Sequence, residues 1–383
     1  FSWGALLNPV EDDNNGTVTV ETTGVDVGQT LTLTLDGKNY TNTVNGLTTI
    51  VTIPAADLQA LTDGQSYTIA ANVSDSAGNA ATQVTSTAFT VDRTPPAIGA
   101  IGTSAFSWGA LLNPVEDDSD GTVTVTTSGI EDGQTMTVVL NGKSYTNTVT
   151  SNSTVITIPA IDLQTLSDGQ SYTVTADISD EAGNAATQVI SSQFTVDRTP
   201  PSINALGSSA FSWGSKLNST EDDNDGTITV TTVGVEDGQT VTLVLNGTSY
   251  TNTISSNSTS ITIPAADLQA LTDGQSYTAT ANVSDAAGNA ATQISSSQFT
   301  VDKSTPSINA IATSAFSWGS ELSATDDDNF GTVTVTTVGI EDGQTMTLAL
   351  NGTSYTSTVT SSSSSTIIPA ADLQALTDQQ SYT

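Results

Sequence analysis

The 383-residue sequence has no cysteine and no histidine, and its 6 lysines and arginines stand against 40 aspartates and glutamates. Without cysteine there is no disulfide, no thiolate nucleophile and no cysteine-type zinc or iron–sulfur site. Without histidine the chain lacks the commonest general base and the commonest transition-metal ligand. A metal bound here is therefore a hard one that takes oxygen ligands. The formal net charge of −34 excludes a nucleic-acid groove, which needs a basic stripe to release counterions. It also opposes docking on anionic lipid. No run of about 18 apolar residues is present to cross a membrane as a helix. The opening Phe1-Ser2-Trp3-Gly4 shows no signal-peptide pattern, and the chain reads as a piece of a longer array.

What is present is acid, β-formers and repetition. Two carboxylates 4 Å apart at an effective dielectric of 20 repel by about 4 kcal/mol. Either a cation belongs to the working state or the chain is disordered, as acidic chains poor in aromatics often are. A hydrophobic content of 36%, arranged as alternating Val, Ile, Leu and Thr, favours a folded chain. The string Phe-Ser-Trp-Gly begins at Phe1, Phe106, Phe211 and Phe316, a constant spacing of 105 residues with no insertion or deletion. That is the size of a domain and too long for a solenoid unit.

The punctuation between copies is Asp92-Arg93-Thr94-Pro95-Pro96, repeated as Asp197-Arg198-Thr199-Pro200-Pro201 and altered to Asp302-Lys303-Ser304-Thr305-Pro306. Proline stiffens such a segment into a short extended linker. The expected modules are 1–93, 94–198, 199–303 and 304–383, the first without its opening strand and the fourth without its last two.

Within 94–198 the period-two runs predict strand A over 101–112, B over 122–127, C over 135–140, D over 144–149, E over 154–158, F over 171–178 and G over 186–196. Asn141-Gly142 marks the C–D hairpin. Tyr172 stands where a tyrosine corner belongs, and Pro159 to Leu163 carries the one helical turn. The expected fold class is all-β: tandem immunoglobulin-like sandwiches in an elongated rod. Four modules with strands of about ten residues would span on the order of 140 Å.

Chain direction sorts the loops onto two ends. At the top, beside the incoming linker, fall the B–C and F–G loops with Glu131, Asp132, Asp180, Glu181 and Asn184, and the linker adds Asp92. The set recurs as Asp197, Glu236, Asp237, Asp285 and Asn289, and again as Asp302, Glu341 and Asp342. The first copy has Asp26 followed by Val27, one carboxylate fewer. At the bottom lies the A–B loop. Its acidic residues are Glu11, Asp12 and Asp13; Glu116, Asp117, Asp118 and Asp120; Glu221, Asp222, Asp223 and Asp225; and Asp326, Asp327 and Asp328, each run ending near a glycine read as a turn residue. Both ends are candidate Ca²⁺ sites, since Ca²⁺ takes six to eight oxygens. The plainer alternative for each is a solvated turn. Asp63, Asp168 and Asp273 before glycine read as turn formers, the glycines of Glu181-Ala182-Gly183-Asn184 and its counterparts as left-handed turn positions, and Trp3, Trp108, Trp213 and Trp318 as core rather than a sugar platform.

Phe89-Thr90-Val91-Asp92-Arg93-Thr94-Pro95-Pro96 and Ser74-Asp75-Ser76-Ala77-Gly78-Asn79 resemble the bacterial Ig-like repeats of giant type I-secreted, RTX-type adhesins, among whose members is an ice-binding adhesin of a marine bacterium. The resemblance implies a secreted, cell-surface extender stiffened by Ca²⁺ at its linkers. It places ligands at Asp92, Asp197 and Asp302 with the B–C and F–G loops of the following module, Asp75 and Asn79 standing in the matching F–G loop of the first copy. The sequence departs from that family's Asp-Thr-Thr linker by carrying Arg or Lys after the Asp, a cation beside the expected metal. Gln379 also replaces the turn glycine of the other copies. The expected partners are neighbouring repeats, with no nucleic acid, no membrane insertion and no strong small-molecule ligand. The alternative is an array that binds sugar or ice directly. Carboxylates that recur in loops at both ends of every module do not read as a glycosidase pair.

Overall fold

A computed structural model describes residues 1–383. It divides into two compact units, one of Phe1–Pro201 with Ser284–Ala290 and the other of Ser202–Val283 with Ala291–Thr383. Four separate apolar cores lie along the chain, spanning Trp3–Val91, Ile101–Val196, Ile203–Val301 and Val333–Leu373.

The second repeat shows the plan. One sheet joins Ala97–Ile98, strand B (Gly121–Ser128) and strand E (Ser153–Ile158), all antiparallel. The facing sheet runs strand D (Lys143–Thr148), C (Thr135–Leu140), Val174–Asp177 of F and Val189–Ile190 of G. Val123, Val125 and Thr127 of B and Thr154, Ile156 and Ile158 of E point inward while Thr124, Thr126, Val155 and Thr157 face solvent, the alternation of a half-buried strand. Asn141 and Gly142 both take positive φ, 49° and 79°, the hairpin geometry that Asn-Gly favours. Tyr172 closes the corner by accepting the Ser167 amide at 2.9 Å.

Three of the expected strands are broken. Strand A is not continuous over 101–112: Ala97–Ile98 pairs with B, a 3-10 turn covers Thr103–Ala105, and Leu111–Leu112 pairs parallel with Phe194–Val196. The chain changes sheets here, and the crossing delivers Phe106 and Trp108 into the core. F and G break together, staying paired as they change sheets, and at the break the buried Ser191 hydroxyl accepts the Val174 amide at 2.8 Å and donates to Ser192 O at 2.8 Å.

Trp108 stacks on Phe106 at 5.2 Å between ring centres and meets Phe194 edge-on at 5.2 Å. Against its ring lies Gly121, where a Cβ would stand 2.5 Å from the indole. The glycine that closes each A–B loop is therefore not a turn residue. It is the first residue of strand B, kept small by the tryptophan, and Gly16, Gly226 and Gly331 repeat the contact. In the first repeat strand B (Gly16–Glu21) pairs with Thr48–Ile53 alone. The fourth holds the A–B–E sheet and the C–D hairpin. No helix in the chain is long and apolar enough to cross a membrane.

Candidate site at the module joints

The basic residue after each linker Asp turns away from the joint ahead and into its own module. Arg93 Nε meets Asp12 Oδ2 at 2.6 Å, and its other nitrogens donate to Leu61 O at 2.8 Å and Leu58 O at 2.9 Å. Those carbonyls end the helical turn Ala55–Gln59, where a cation is favoured by the exposed C=O groups. Arg198 repeats the arrangement on Asp117, Leu166 O and Leu163 O. Lys303 does so on Asp222 at 2.9 Å with Leu271 O and Gln269 O. Asp12, Asp117 and Asp222 are 3–4% exposed, so each is a buried charge held by one cation.

The remaining A–B carboxylates also have protein donors. Glu11, Glu116 and Glu221 accept the amides of Asn8, Asn113 and Asn218 in capping boxes. Asp13, Asp118, Asp223 and Asp328 accept the amide groups of Gln59, Gln164, Gln269 and Gln374. Asp120 and Asp225 accept the backbone amides of Ala160 and Ala265, a place Asn15 fills in the first copy. Asp326 accepts from Ser323, while Asp327 lies half-buried beside it. Thus the first three A–B loops each hold a guanidinium or ammonium. Asp63, Asp168 and Asp273 do more than shape a turn: each accepts the amide after the linker Asp and the hydroxyl that follows, at 2.7–3.0 Å.

At the top, the F–G hairpin of the second repeat turns on Gly183 at φ 92°. Asp180 accepts the Asn184 amide at 2.7 Å and its side-chain nitrogen at 2.9 Å, and that same nitrogen donates to Asp92 O at 3.1 Å. Asn8, from the module before, donates to Ala182 O at 2.6 Å. The hairpin is gripped from two sides, and Asp180 and Asn184 are buried. In the same compact unit Asn289 donates to Asp285 and to Asp197 O at 3.0 Å, while Asn113 donates to Ala287 O at 2.6 Å. In the first copy Asp75 and Asn79 make the same internal bond, but Asp75 is only half-buried and Asn79 is exposed.

The B–C carboxylates divide their work. Glu131 accepts the Glu181 amide at 3.1 Å and so ties B–C to F–G, as Asp26 does through Ser76. Asp132, Asp237 and Asp342 instead accept the amides of Ser151, Ser256 and Ser361 in the D–E turn, whose two central residues all take positive φ. Where the first copy has Val27, its D–E turn Asn45-Gly46-Leu47 has no positive φ. Asp132 and its counterparts are therefore turn supports. Glu236 holds the B–C position of the third repeat.

Asp92 is the charged centre of the first joint. Burial raises its carboxyl above the ordinary range, the Thr94 amide partly offsets this, and the charges of Asp180, Asp63 and Glu131 push it up again. Lys38, Lys143, Arg93 and Arg198 are engaged with Asp57, Asp162, Asp12 and Asp117, so no basic side chain offsets the joint. The donor set is oxygen-only and negative, which suits a hard cation. Nowhere do three acidic side chains converge into a carboxylate cage, so carbonyls and amides would have to share the coordination.

Sequence reasoning missed Asn8, Asn113 and the structural role of Arg93. Their signal was available: asparagine two to three residues before a glutamate marks a capping box, and a cation follows every linker Asp in a chain with six. The indoles of Trp3, Trp108 and Trp213 are 4–6% exposed and buried in the core, where they cannot stack on a sugar.

Fold and joint together define a tandem immunoglobulin-like sandwich protein whose polar chemistry is concentrated where modules meet. Residues 54–155 and 157–300 match the bacterial Ig-like domain, group 3, and the chain belongs to that family. Among solved structures it is similar to a Ca²⁺-stabilized adhesin that helps an Antarctic bacterium reach out and bind ice, at 28% identity over 97% of this chain and 89% of that one, TM-score 0.40. It is also similar to a 1.5-MDa bacterial ice-binding adhesin studied for host cell surface retention, at 25% identity over 78% of this chain and 95% of that one, TM-score 0.42. A third is a tetra-tandem repeat in the extending region of a large adhesion protein, at 20% identity over 94% and 88%, TM-score 0.32. No curated protein matches the sequence.

Proposed function

We propose that this chain is a spacer: the extender region of a secreted bacterial cell-surface adhesin, with modules 1–93, 94–198, 199–303 and 304–383 in tandem and Ca²⁺ at the joints. The observation that carries the reading is the paired grip on the F–G hairpin. Asn8 to Ala182 O and Asn184 to Asp92 O recur 105 residues later as Asn113 to Ala287 O and Asn289 to Asp197 O. A chain that repeats its joint, rather than a pocket, is selected for the setting of one module on the next. The motifs that form this joint are the ones that resemble adhesin extenders.

Ca²⁺ would be held by Asp92, Asp180 and Glu131 with nearby carbonyls, and by Asp197 and Asp285 at the next joint. It would supply the positive charge that the Asp92 joint lacks. The test is small-angle scattering of the whole chain with Ca²⁺ and with EDTA. Chelation is expected to shorten the maximum dimension and broaden the ensemble, and Asp92→Asn should reproduce part of the loss in Ca²⁺. Identical scattering in both buffers sinks the metal reading.

A further inference from the structure

One position in the repeat changes chemistry completely between copies: Leu6, Leu111, Lys216 and Glu321. In the third copy it lies on the short strand Lys216–Asn218, paired parallel with Phe299–Asp302 so that Asn218 sits beside Asp302. The strand therefore runs alongside the linker, and a long side chain on it reaches forward to the joint. Lys216 Nζ is 2.5 Å from Glu341 Oε1 and 3.6 Å from Asp302 Oδ2.

Those two acids are the linker and B–C carboxylates of their joint, the counterparts of Asp92 and Glu131. The comparison is direct. Around Asp92 the charges of Asp180, Asp63 and Glu131 repel with no basic side chain between them. Around Asp302 an ammonium bridges the two elements that meet there. Pairing with Glu341 raises Lys216 above the ordinary lysine range and lowers Glu341, the sign expected of a cation working as a counter-charge. All of these groups lie in one compact unit. They are also exposed, so the bridge is open to screening by salt and to competition from a dissolved ion.

We propose that Lys216 is the resident counter-cation of the Asp302 joint, so that this joint keeps its set without a dissolved cation. The contrast with the joints at Asp92 and Asp197 rests on the Ca²⁺ reading of those joints given above. An array built this way has one link that survives chelation but loosens in high salt.

The absence of native cysteine makes the experiment clean. Ser249→Cys and Ser354→Cys, both exposed on their C–D hairpins, carry spin labels on either side of the joint in the full chain. The distance distribution is read by pulsed dipolar spectroscopy in EDTA at low salt. The expected result is a narrow distribution for the parent, at least a twofold broadening for Lys216→Leu, and the same for Glu341→Gln. Leucine is the residue the first two copies carry, and the glutamine variant gives a second reading through the other partner. A parent already broad in EDTA, or Lys216→Leu as narrow as the parent, overturns the proposal. Ca²⁺ is then added to Lys216→Leu. Broadening that Ca²⁺ reverses supports both readings. Broadening that Ca²⁺ leaves in place keeps the lysine assignment and removes Ca²⁺ from the Asp302 joint.

Discussion

At Arg198 a single side chain holds three loose ends: a buried carboxylate, the end of a helical turn and the exit of the module. Asp117 is buried and Arg198 is its only cation. Arg198→Ala leaves that charge unpaired and is expected to cost about 3–5 kcal/mol, read by urea unfolding. Arg198→Lys should cost far less, because Lys303 already serves Asp222 in the third copy. Equal losses for the two variants would mean that packing, not charge, matters at this place. Gln379 offers the opposite case. It holds φ at 63° where the other copies have glycine. A side chain in that region costs about 1–2 kcal/mol, so Gln379→Gly should stabilise the last repeat by about 1 kcal/mol. A variant no more stable than the parent in thermal melts would show that the turn already relaxes the strain.

The elements that the sequence made legible were those decided locally. Strands B, C and E follow from alternation, and the C–D hairpin follows from Asn-Gly. The tyrosine corner follows from spacing. Strands A, F and G broke where the chain changes sheets, which alternation does not show: strand A crosses to insert Phe106 and Trp108, and F and G cross together, Ser171–Tyr172 pairing with Phe194–Val196 in one sheet and Val174–Asp177 with Val189–Ile190 in the other. The same division runs through the candidate site. That acidic loops gather at the two module ends was readable from chain direction. Which cation each end meets was not, since Arg93 reaches Asp12 across 81 residues.

The E–F loop aspartates and the linker residue Asp92 should titrate in opposite senses. Asp63, Asp168 and Asp273 are held below the ordinary carboxylate range, chiefly by the amide after the linker Asp. Their folded values lie below the unfolded ones, so the stability they give is present above the ordinary range and is lost as pH falls through the lowered values. Asp92 is raised by burial, so its charge costs stability at neutral pH, and that cost fades as pH falls through the raised value. In EDTA the melting temperature should therefore rise as pH falls from neutral toward the ordinary carboxylate range and drop once pH falls below that range. Asp92→Asn should abolish the rise and leave the drop. A rise that survives the substitution assigns it to another group.

At the scale of the whole molecule, four cores with no shared buried residues make four folding units of unequal quality. The third repeat closes around Phe211, Trp213 and Phe299, with rings 5.2–5.3 Å apart. In residues 304–383 the pair Phe316 and Trp318 stacks without a counterpart of Phe299, and both rings are only partly buried. Removing one such aromatic from a sandwich core costs about 3–5 kcal/mol. In a chain of residues 1–383, residues 304–383 are therefore expected to open on their own, by a transition at least about 3 kcal/mol below that of the third repeat. Native-state hydrogen exchange reads this directly. Strand B of the fourth repeat, Gly331–Val338, should lose protection at a lower urea concentration than Gly226–Val233, although the two strands have nearly the same sequence and the same pairing with strand E. Because local sequence is held constant, any difference measured between them reports the tertiary core alone. Equal protection would mean that the A–B–E sheet and the C–D hairpin suffice for stability, and that the F and G strands serve the joint more than the fold.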